Sequence, residues 1–110
     1  MVRAIVWAVI LGVGAAVNAS AQDVPKGEKI YAAQKCSICH SIGDVGNKKG
    51  PLDGVGARLS SDDIRAWITD AKGMTAKTKA PRKPEMRAYS LPKDETDALV
   101  AYLSTLKGKK

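Results

Sequence analysis

The amino-acid sequence predicts an all-α domain in which three to five helices are joined by long loops. Three segments of the chain carry apolar residues at the three- and four-residue spacing that places them on one face of a helix. No segment shows the alternation of apolar and polar residues that is typical of a half-buried strand. The intervening segments are rich in glycine, or in proline and lysine, as loops usually are. At 110 residues the chain is long enough for one domain.

The beginning of the chain has the features of a secretory signal peptide. A basic residue precedes an uncharged apolar run of 14 residues (4–17), and the small-residue pattern Ala-Ser-Ala follows at 19–21. We expect cleavage after Ala21, so that residues 1–21 are the signal and 22–110 form the exported domain. An uncleaved membrane anchor is the alternative, although a helix that spans a bilayer needs about 20 apolar residues.

The mature domain is predicted to be basic and poor in aromatic side chains. Removal of Arg3 with the signal leaves 17 basic and 11 acidic residues, a net charge of +6. This charge in an exported domain favours acidic partners or anionic surfaces over nucleic acid. Phenylalanine is absent, and the remaining aromatic residues are Tyr31, Trp67, Tyr89 and Tyr102. A small domain with so few large side chains often needs a metal, a disulfide or a cofactor to complete its core.

The first helix of the mature domain is predicted over residues 26–35. Pro25 stands at its start, where a missing backbone N–H costs little. Residues that share one face of this helix are Ile30, Tyr31 and Gln34. The following segment, 43–58, is dense in glycine and is expected to be a loop.

The second helix is predicted to begin with Ser60 or Ser61 as its N-cap and to end before Gly73. The negative charges of the aspartates in its first turn interact favourably with the positive end of the helix dipole. Its apolar face consists of Ile64, Trp67 and Ile68. Residues 74–90 contain two prolines among basic residues without helical spacing, which predicts an extended loop.

The last helix is predicted to begin around Pro92, with Asp94 and Glu95 in its first turn. Its apolar face consists of Leu99, Tyr102, Leu103 and Leu106. Lysines at the end of the chain complement the negative end of its dipole.

Residues 36–40, Cys-Ser-Ile-Cys-His, contain both cysteines and the single histidine of the chain. A redox dithiol normally occupies a βαβ framework, for which the sequence shows no strands. A structural zinc site normally takes four cysteine or histidine ligands, and no fourth is present. A disulfide between residues three apart would constrain almost nothing. The pattern Cys-x-x-Cys-His is the signature of covalent haem attachment, so we predict one haem c with its iron.

A helical conformation would place Cys36, Cys39 and His40 on one face. The two thiols could then form thioethers with the two vinyl groups of one haem, while His40 ligates the iron from the same side. The second axial ligand cannot be another histidine, and methionine is the usual alternative in electron-transfer haems. Met74 and Met86 are both candidates, and the position of Met86 in the loop before the last helix favours it only mildly.

Three stretches of the sequence resemble a small single-haem class I cytochrome c of the bacterial periplasm. They are GEKIYAAQKCSICHSI, GNKKGPLDGVGARL and MRAYSLPKDETDALVAYLSTLK, and the resemblance covers almost the whole mature domain, 27–107. It implies the class I cytochrome c fold around one covalent haem, and a periplasmic electron carrier rather than an enzyme. It also implies a monomer without stable membrane insertion, whose partners are redox proteins with acidic docking surfaces, such as an oxidase, a reductase or a dehydrogenase.

The resemblance also assigns roles to individual residues. In the family a methionine ligand stands shortly before an aromatic residue and the terminal helix, which matches Met86 and Tyr89 and favours Met86 over Met74. The family commonly has proline after this methionine, where the present chain has Arg87.

Three further residues match structural positions of the family. Pro51 resembles the proline whose carbonyl accepts the Nδ1–H of His40 and so fixes the ring. Gly27 and Tyr31 resemble the positions that pack against the last helix near Leu99 and Tyr102.

Two side chains could donate hydrogen bonds to a haem propionate, the indole of Trp67 and the guanidinium of Arg58. Trp67 could equally line the core, and Arg58 could be a solvated surface charge. Basic residues also cluster around Met86, either as a rim around an exposed haem edge or as an ordinary solvated surface. They are Lys72, Lys77, Lys79, Arg82, Lys83 and Arg87, with Lys48 and Lys49 in the earlier loop.

The alternative function is a haem-based binder or sensor of small gases, in which the sixth ligand is weak or absent. A catalytic haem enzyme is less favoured, because the sequence offers no second histidine as a distal acid or base.

Overall fold

The computed structural model describes residues 19–108 and has five α-helices. The helices are α1 (Ala19–Ala33), α2 (Val55–Arg58), α3 (Ser61–Thr69), α4 (Ala71–Thr78) and α5 (Lys93–Ser104). A 3₁₀ turn (Cys36–Ile38) and two short strands, β1 (Ser41–Ile42) and β2 (Val45–Gly46), lie between α1 and α2. The predicted all-α class is confirmed. Most of the predicted signal peptide lies outside the described residues, and none of the helices described is long and apolar enough to span a bilayer.

Helix α1 begins earlier than predicted. It starts at Ala19 and contains Pro25 in its interior, whereas the predicted helix starts at residue 26. Proline removes one backbone hydrogen bond, but the alanines and glutamine ahead of it are compatible with a helix, so α1 continues through the proline.

The region after α3 also differs from the prediction. Ser60 caps α3 as predicted, because its hydroxyl accepts a hydrogen bond from the amide of Asp63 at 3.1 Å. Residues 74–78, predicted as loop, instead belong to α4. Asp70 is the N-cap of this helix, and its side chain accepts a hydrogen bond from the amide of Gly73 at 3.2 Å. Gly73 therefore lies in the first turn of α4 and does not mark the end of α3.

The segment 43–58, predicted to be loop, contains part of a small hairpin and α2. The strands β1 and β2 pair antiparallel with Ser41 opposite Gly46. Helix α2 packs closely on the end of α5, since a Cβ atom at Gly56 would overlap the carbonyl oxygen of Ser104. Elements this short are stabilised by such contacts rather than by local propensity.

The core forms where α1 crosses α5. A Cβ atom at Gly27 would overlap the carbonyl oxygen of Ala98 and the Cβ of Tyr102, so glycine permits the close approach of the two helices. The rings of Tyr31 and Tyr102 meet edge to face, with centroids 5.9 Å apart. The contact of Gly27 and Tyr31 with the last helix is therefore confirmed. The other large core residues are Ile30, Val55, Ile64, Ile68, Leu99, Val100 and Leu103.

The hydroxyl group of Tyr31 is buried and has no hydrogen-bond partner among the described residues. Burial, with a smaller contribution from the nearby Cys36, raises the pKa of Tyr31 to about 12. Its ordinary pKa is about 10, so above that pH the unfolded chain loses the phenolic proton before the folded one does. The free energy of unfolding should therefore fall as the pH rises from about 10 to about 12.

Replacement of Tyr31 by phenylalanine should remove this contribution to the alkaline loss of stability, which amounts to about 1 kcal/mol between about pH 8 and about pH 11. At neutral pH the variant should be at least as stable as the wild type, because an unpaired buried hydroxyl is removed and the ring is kept. Urea unfolding at about pH 8 and about pH 11 measures both effects. An equal alkaline loss in the two proteins would contradict the assignment.

Candidate functional site

The Cys-x-x-Cys-His segment forms a single tight turn. Lys35, in the left-handed conformation (φ 56°, ψ 39°), separates this turn from α1. The amide of His40 donates to the carbonyl of Cys36 at 2.9 Å, which closes the turn over the three intervening residues. The predicted helical segment is thus a 3₁₀ turn that ends in one α-type hydrogen bond. Both cysteines are free, and Cys36 is half-buried whereas Cys39 is exposed.

The imidazole of His40 is fixed by a backbone carbonyl. Its Nδ1 lies 2.9 Å from the carbonyl oxygen of Gly50. Because a carbonyl can only accept, Nδ1 carries the proton, and Nε2 of the neutral ring has a free lone pair. Burial lowers the pKa of His40, a bond to Gly50 opposes this effect, and the positive charge of Arg82 adds to it. The neutral ring is the form that can ligate a metal.

The acceptor for His40 is Gly50 and not Pro51, so the predicted role of the Pro51 carbonyl is corrected. Ser41 pairs with this segment in a parallel bridge: its amide donates to Gly50 at 3.1 Å, and its carbonyl accepts from Leu52 at 2.8 Å. Successive carbonyls of an extended chain point to opposite sides, so Pro51 turns its own carbonyl away when Gly50 faces His40. Pro51 itself is exposed.

The two candidate methionines lie in different surroundings. Met74 is buried on α4, with 8% of its surface exposed. Met86 is half-buried in the segment 79–92, which has no helix or strand. Around Met86, in residues 81–90, this segment is attached at two places: Arg82 donates to the carbonyl of Cys39, and the amide of Tyr89 donates to Ile68 at 2.8 Å. Met86 lies between the two attachments.

The other predicted site residues, Trp67 and Arg58, lie on α3 and α2. Trp67 is half-buried. Arg58 is exposed, and its guanidinium donates to the carbonyl of Asp53 at 3.1 Å, which stabilises the turn before α2. The proposed contacts of both residues with a propionate stay predictions.

The residues present fit a haem attached through thioethers. The donor set consists of two free thiols and a histidine whose Nε2 is available. The buried core is small, and the apolar side chains around it stay partly exposed, which leaves apolar surface for a large bound group. The partly exposed apolar residues around this core are Ile42, Leu52, Leu59, Tyr89, Leu91, Tyr102 and Leu106. Within residues 19–108 no three cysteine, histidine or acidic side chains are grouped so as to hold a bare metal ion.

A groove lies beside the exposed thiol of Cys39. Its walls come from the Cys-x-x-Cys-His turn with the following loop and from the segment that leads to Met86. The lining residues are Ile38, Cys39, Asn47, Lys49, Pro81, Arg82, Lys83 and Pro84. Ile38 is 65% exposed at this groove.

Sequence reasoning missed the individual roles of Gly50 and Arg82. Gly50 is one of many glycines in a segment that the sequence predicts to be loop, and the Gly-Pro pair is the available signal for a defined turn there. Arg82 is one of several basic residues around Met86, and no local pattern marks its contact with Cys39.

Comparison with known protein families matches residues 24–107 to the family model described as Cytochrome c. Searches of curated proteins and of solved structures found no significant match.

Proposed function

The chain belongs to the cytochrome c family, and on this premise we propose that it carries single electrons in the periplasm through one haem. In the proposal Cys36 and Cys39 would hold the haem through thioethers, and His40 and Met86 would ligate its iron. The observation that carries the proposal is the hydrogen bond from His40 Nδ1 to the Gly50 carbonyl, which leaves Nε2 free for the metal.

Haem supplies reversible one-electron exchange between ferrous and ferric iron. The two thiols provide covalent attachment, which prevents loss of the cofactor from an exported protein. The Gly50 carbonyl fixes the ring orientation of His40 and increases its basicity as a ligand. A thioether ligand from Met86 would raise the reduction potential.

The position of Met86 supports its assignment over Met74. Met86 lies between the attachment of Arg82 to Cys39 and that of Tyr89 to Ile68, so its segment is tied to the turn that contains His40. Met74 is buried on α4 and has an ordinary role in packing there.

The proposed location rests on the predicted signal peptide, residues 1–21, with cleavage after Ala21. Haem attachment needs reduced cysteines, and both thiols of the described chain are free.

We propose acidic docking surfaces on the redox partners because several of the predicted basic residues are exposed without an ion pair. Lys83 and Lys48 pair with Glu85 and Asp44, and Arg87 lies over the ring of Tyr89. Of the predicted basic residues, the exposed lysines without an acidic partner in the described part of the chain are Lys49, Lys72, Lys77 and Lys79. An uncompensated positive surface of this kind would accelerate encounter with an acidic protein.

Rapid mixing of the reduced protein with an anionic oxidant, hexacyanoferrate(III), tests the function. We expect complete one-electron oxidation, and we expect carbon monoxide to leave the spectrum of the reduced protein unchanged on the same timescale. Rapid binding of carbon monoxide would instead support the gas-binding alternative.

The same oxidation reaction tests the basic surface. Its rate should fall about tenfold as the ionic strength rises from about 0.01 M to about 0.15 M, because salt screens the attraction. A cationic cobalt(III) oxidant is the control and should react faster as salt is added. A rate with hexacyanoferrate(III) that does not depend on salt would contradict a basic docking surface.

A further inference from the structure

Arg82 differs from the basic residues around it. It is half-buried, whereas Pro81 and Lys83 on either side are exposed. Its Nη1 donates to the backbone carbonyl of Cys39, a residue 43 positions earlier in the chain. Arg82 is thus bonded to the segment that holds the haem-attachment motif rather than directed only to solvent.

Gly50 provides space for this guanidinium group. A Cβ atom at position 50 would overlap both Nη1 of Arg82 and the carbonyl oxygen of Cys39. The carbonyl of the same glycine accepts the hydrogen bond from His40. Arg82 therefore lies against the piece of backbone that orients the proposed iron ligand.

The segment 79–92 has few other attachments. Near its beginning the amide of Ala80 donates to Thr75, and near its end the amide of Tyr89 donates to Ile68. Lys83 and Arg87 have partners within the segment itself. Among the described residues, the bond from Arg82 to Cys39 is the single hydrogen bond between this segment and residues 36–52.

We propose that Arg82 is a positioning residue that holds the Met86 segment against the Cys36–His40 turn and thereby keeps outside ligands from the iron. The inference rests on the proposed function, because that proposal places Met86 at the iron. A charged donor in a half-buried position forms a stronger hydrogen bond than a neutral one. Without it, the segment would be held only near Ala80 and Tyr89, and Met86 would leave the iron more often.

The test compares Arg82→Gln with Lys83→Gln, which removes the same charge from the next residue without touching the turn. Two quantities are measured on the full haem protein: the rate at which imidazole binds to the oxidised form, and hydrogen exchange of the backbone amides in residues 80–90. Arg82→Gln should increase both about tenfold, and Lys83→Gln should change neither by more than about twofold. Arg82→Lys, which keeps one donor and the charge, should give intermediate values.

If imidazole binding and hydrogen exchange were accelerated equally in the two glutamine variants, the proposal would be overturned, because the loss of charge alone would then explain the faster rates. Unchanged rates in Arg82→Gln, or faster exchange throughout α1 and α5 as well, would also overturn it. A failure of the proposed function would give a different result. Met86→Leu would then bind imidazole at the wild-type rate, because Met86 would not be a ligand of the iron. Hydrogen exchange of residues 80–90 in Arg82→Gln still decides the role of Arg82.

Discussion

Replacement of both Cys36 and Cys39 by alanine should yield a protein that retains no haem after denaturation. Covalent attachment requires a thioether, and the described chain has no other cysteine. The variant should also unfold at a lower temperature, because a domain this small has a limited core and a bound group that is lost no longer stabilises its folded state. Mass spectrometry of the denatured protein measures the first effect, and circular dichroism during heating measures the second.

Matched variants in the same turn make this experiment specific. Ser37→Ala changes a residue between the two cysteines and should retain the full mass of protein plus one haem. Each single cysteine variant should retain haem through one thioether, at a lower yield. Haem that stays bound to the double variant after denaturation would rule out attachment at these residues. A mass increase of two haems in the wild type would contradict a single site.

Replacement of Met86 by leucine should remove the weak long-wavelength absorption band that methionine gives to oxidised haem. Leucine has a similar volume and no sulfur, so the change removes the ligand while packing is largely kept. The reduction potential should fall by on the order of 0.2 V, because axial ligands set haem potentials over a range of about 0.8 V. The reduced variant should also bind carbon monoxide rapidly. Absorption spectroscopy during a redox titration measures the band and the potential together.

Met74→Leu is the control for this change. Met74 is buried on α4, and its replacement should cost less than about 1.5 kcal/mol of stability and leave the band and the potential intact. Loss of the band in Met74→Leu but not in Met86→Leu would reverse the assignment of the ligand. A wild-type protein without the band would contradict methionine ligation by either residue.

Much of the fold could be predicted because the relevant information is local. The Ser60 cap and the apolar spacing on α5 are set by residues within a few turns of each other. The sequence does not predict α4, because a glycine such as Gly73 usually follows the end of a helix. In the structure the side chain of Asp70 instead caps a new helix, and Gly73 lies in its first turn. A proline usually stands at the start of a helix, so the sequence predicts too late a start for α1, whereas the helix continues through Pro25.

In the candidate site, too, the features that depend on neighbouring residues could be predicted, and those that depend on distant contacts could not. The thiols and the imidazole lie in five consecutive residues, so the motif could be recognised from the sequence alone. The partner of His40 could not be placed to the residue, because the choice between Gly50 and Pro51 depends on how Ser41 pairs with that segment. The contact of Arg82 with Cys39 joins distant parts of the chain, and such contacts follow from the folded arrangement of loops.

Gly50 has a consequence for the mutational tolerance of this domain. Its carbonyl holds His40, and its missing side chain makes room for Arg82. Any larger residue at position 50 would therefore disturb both at once, and the effects of changes at positions 50 and 82 should not be additive. If His40 ligates a haem iron as proposed, this shared support would also limit how far the surroundings of the iron rearrange between oxidation states, which would keep the reorganisation energy small.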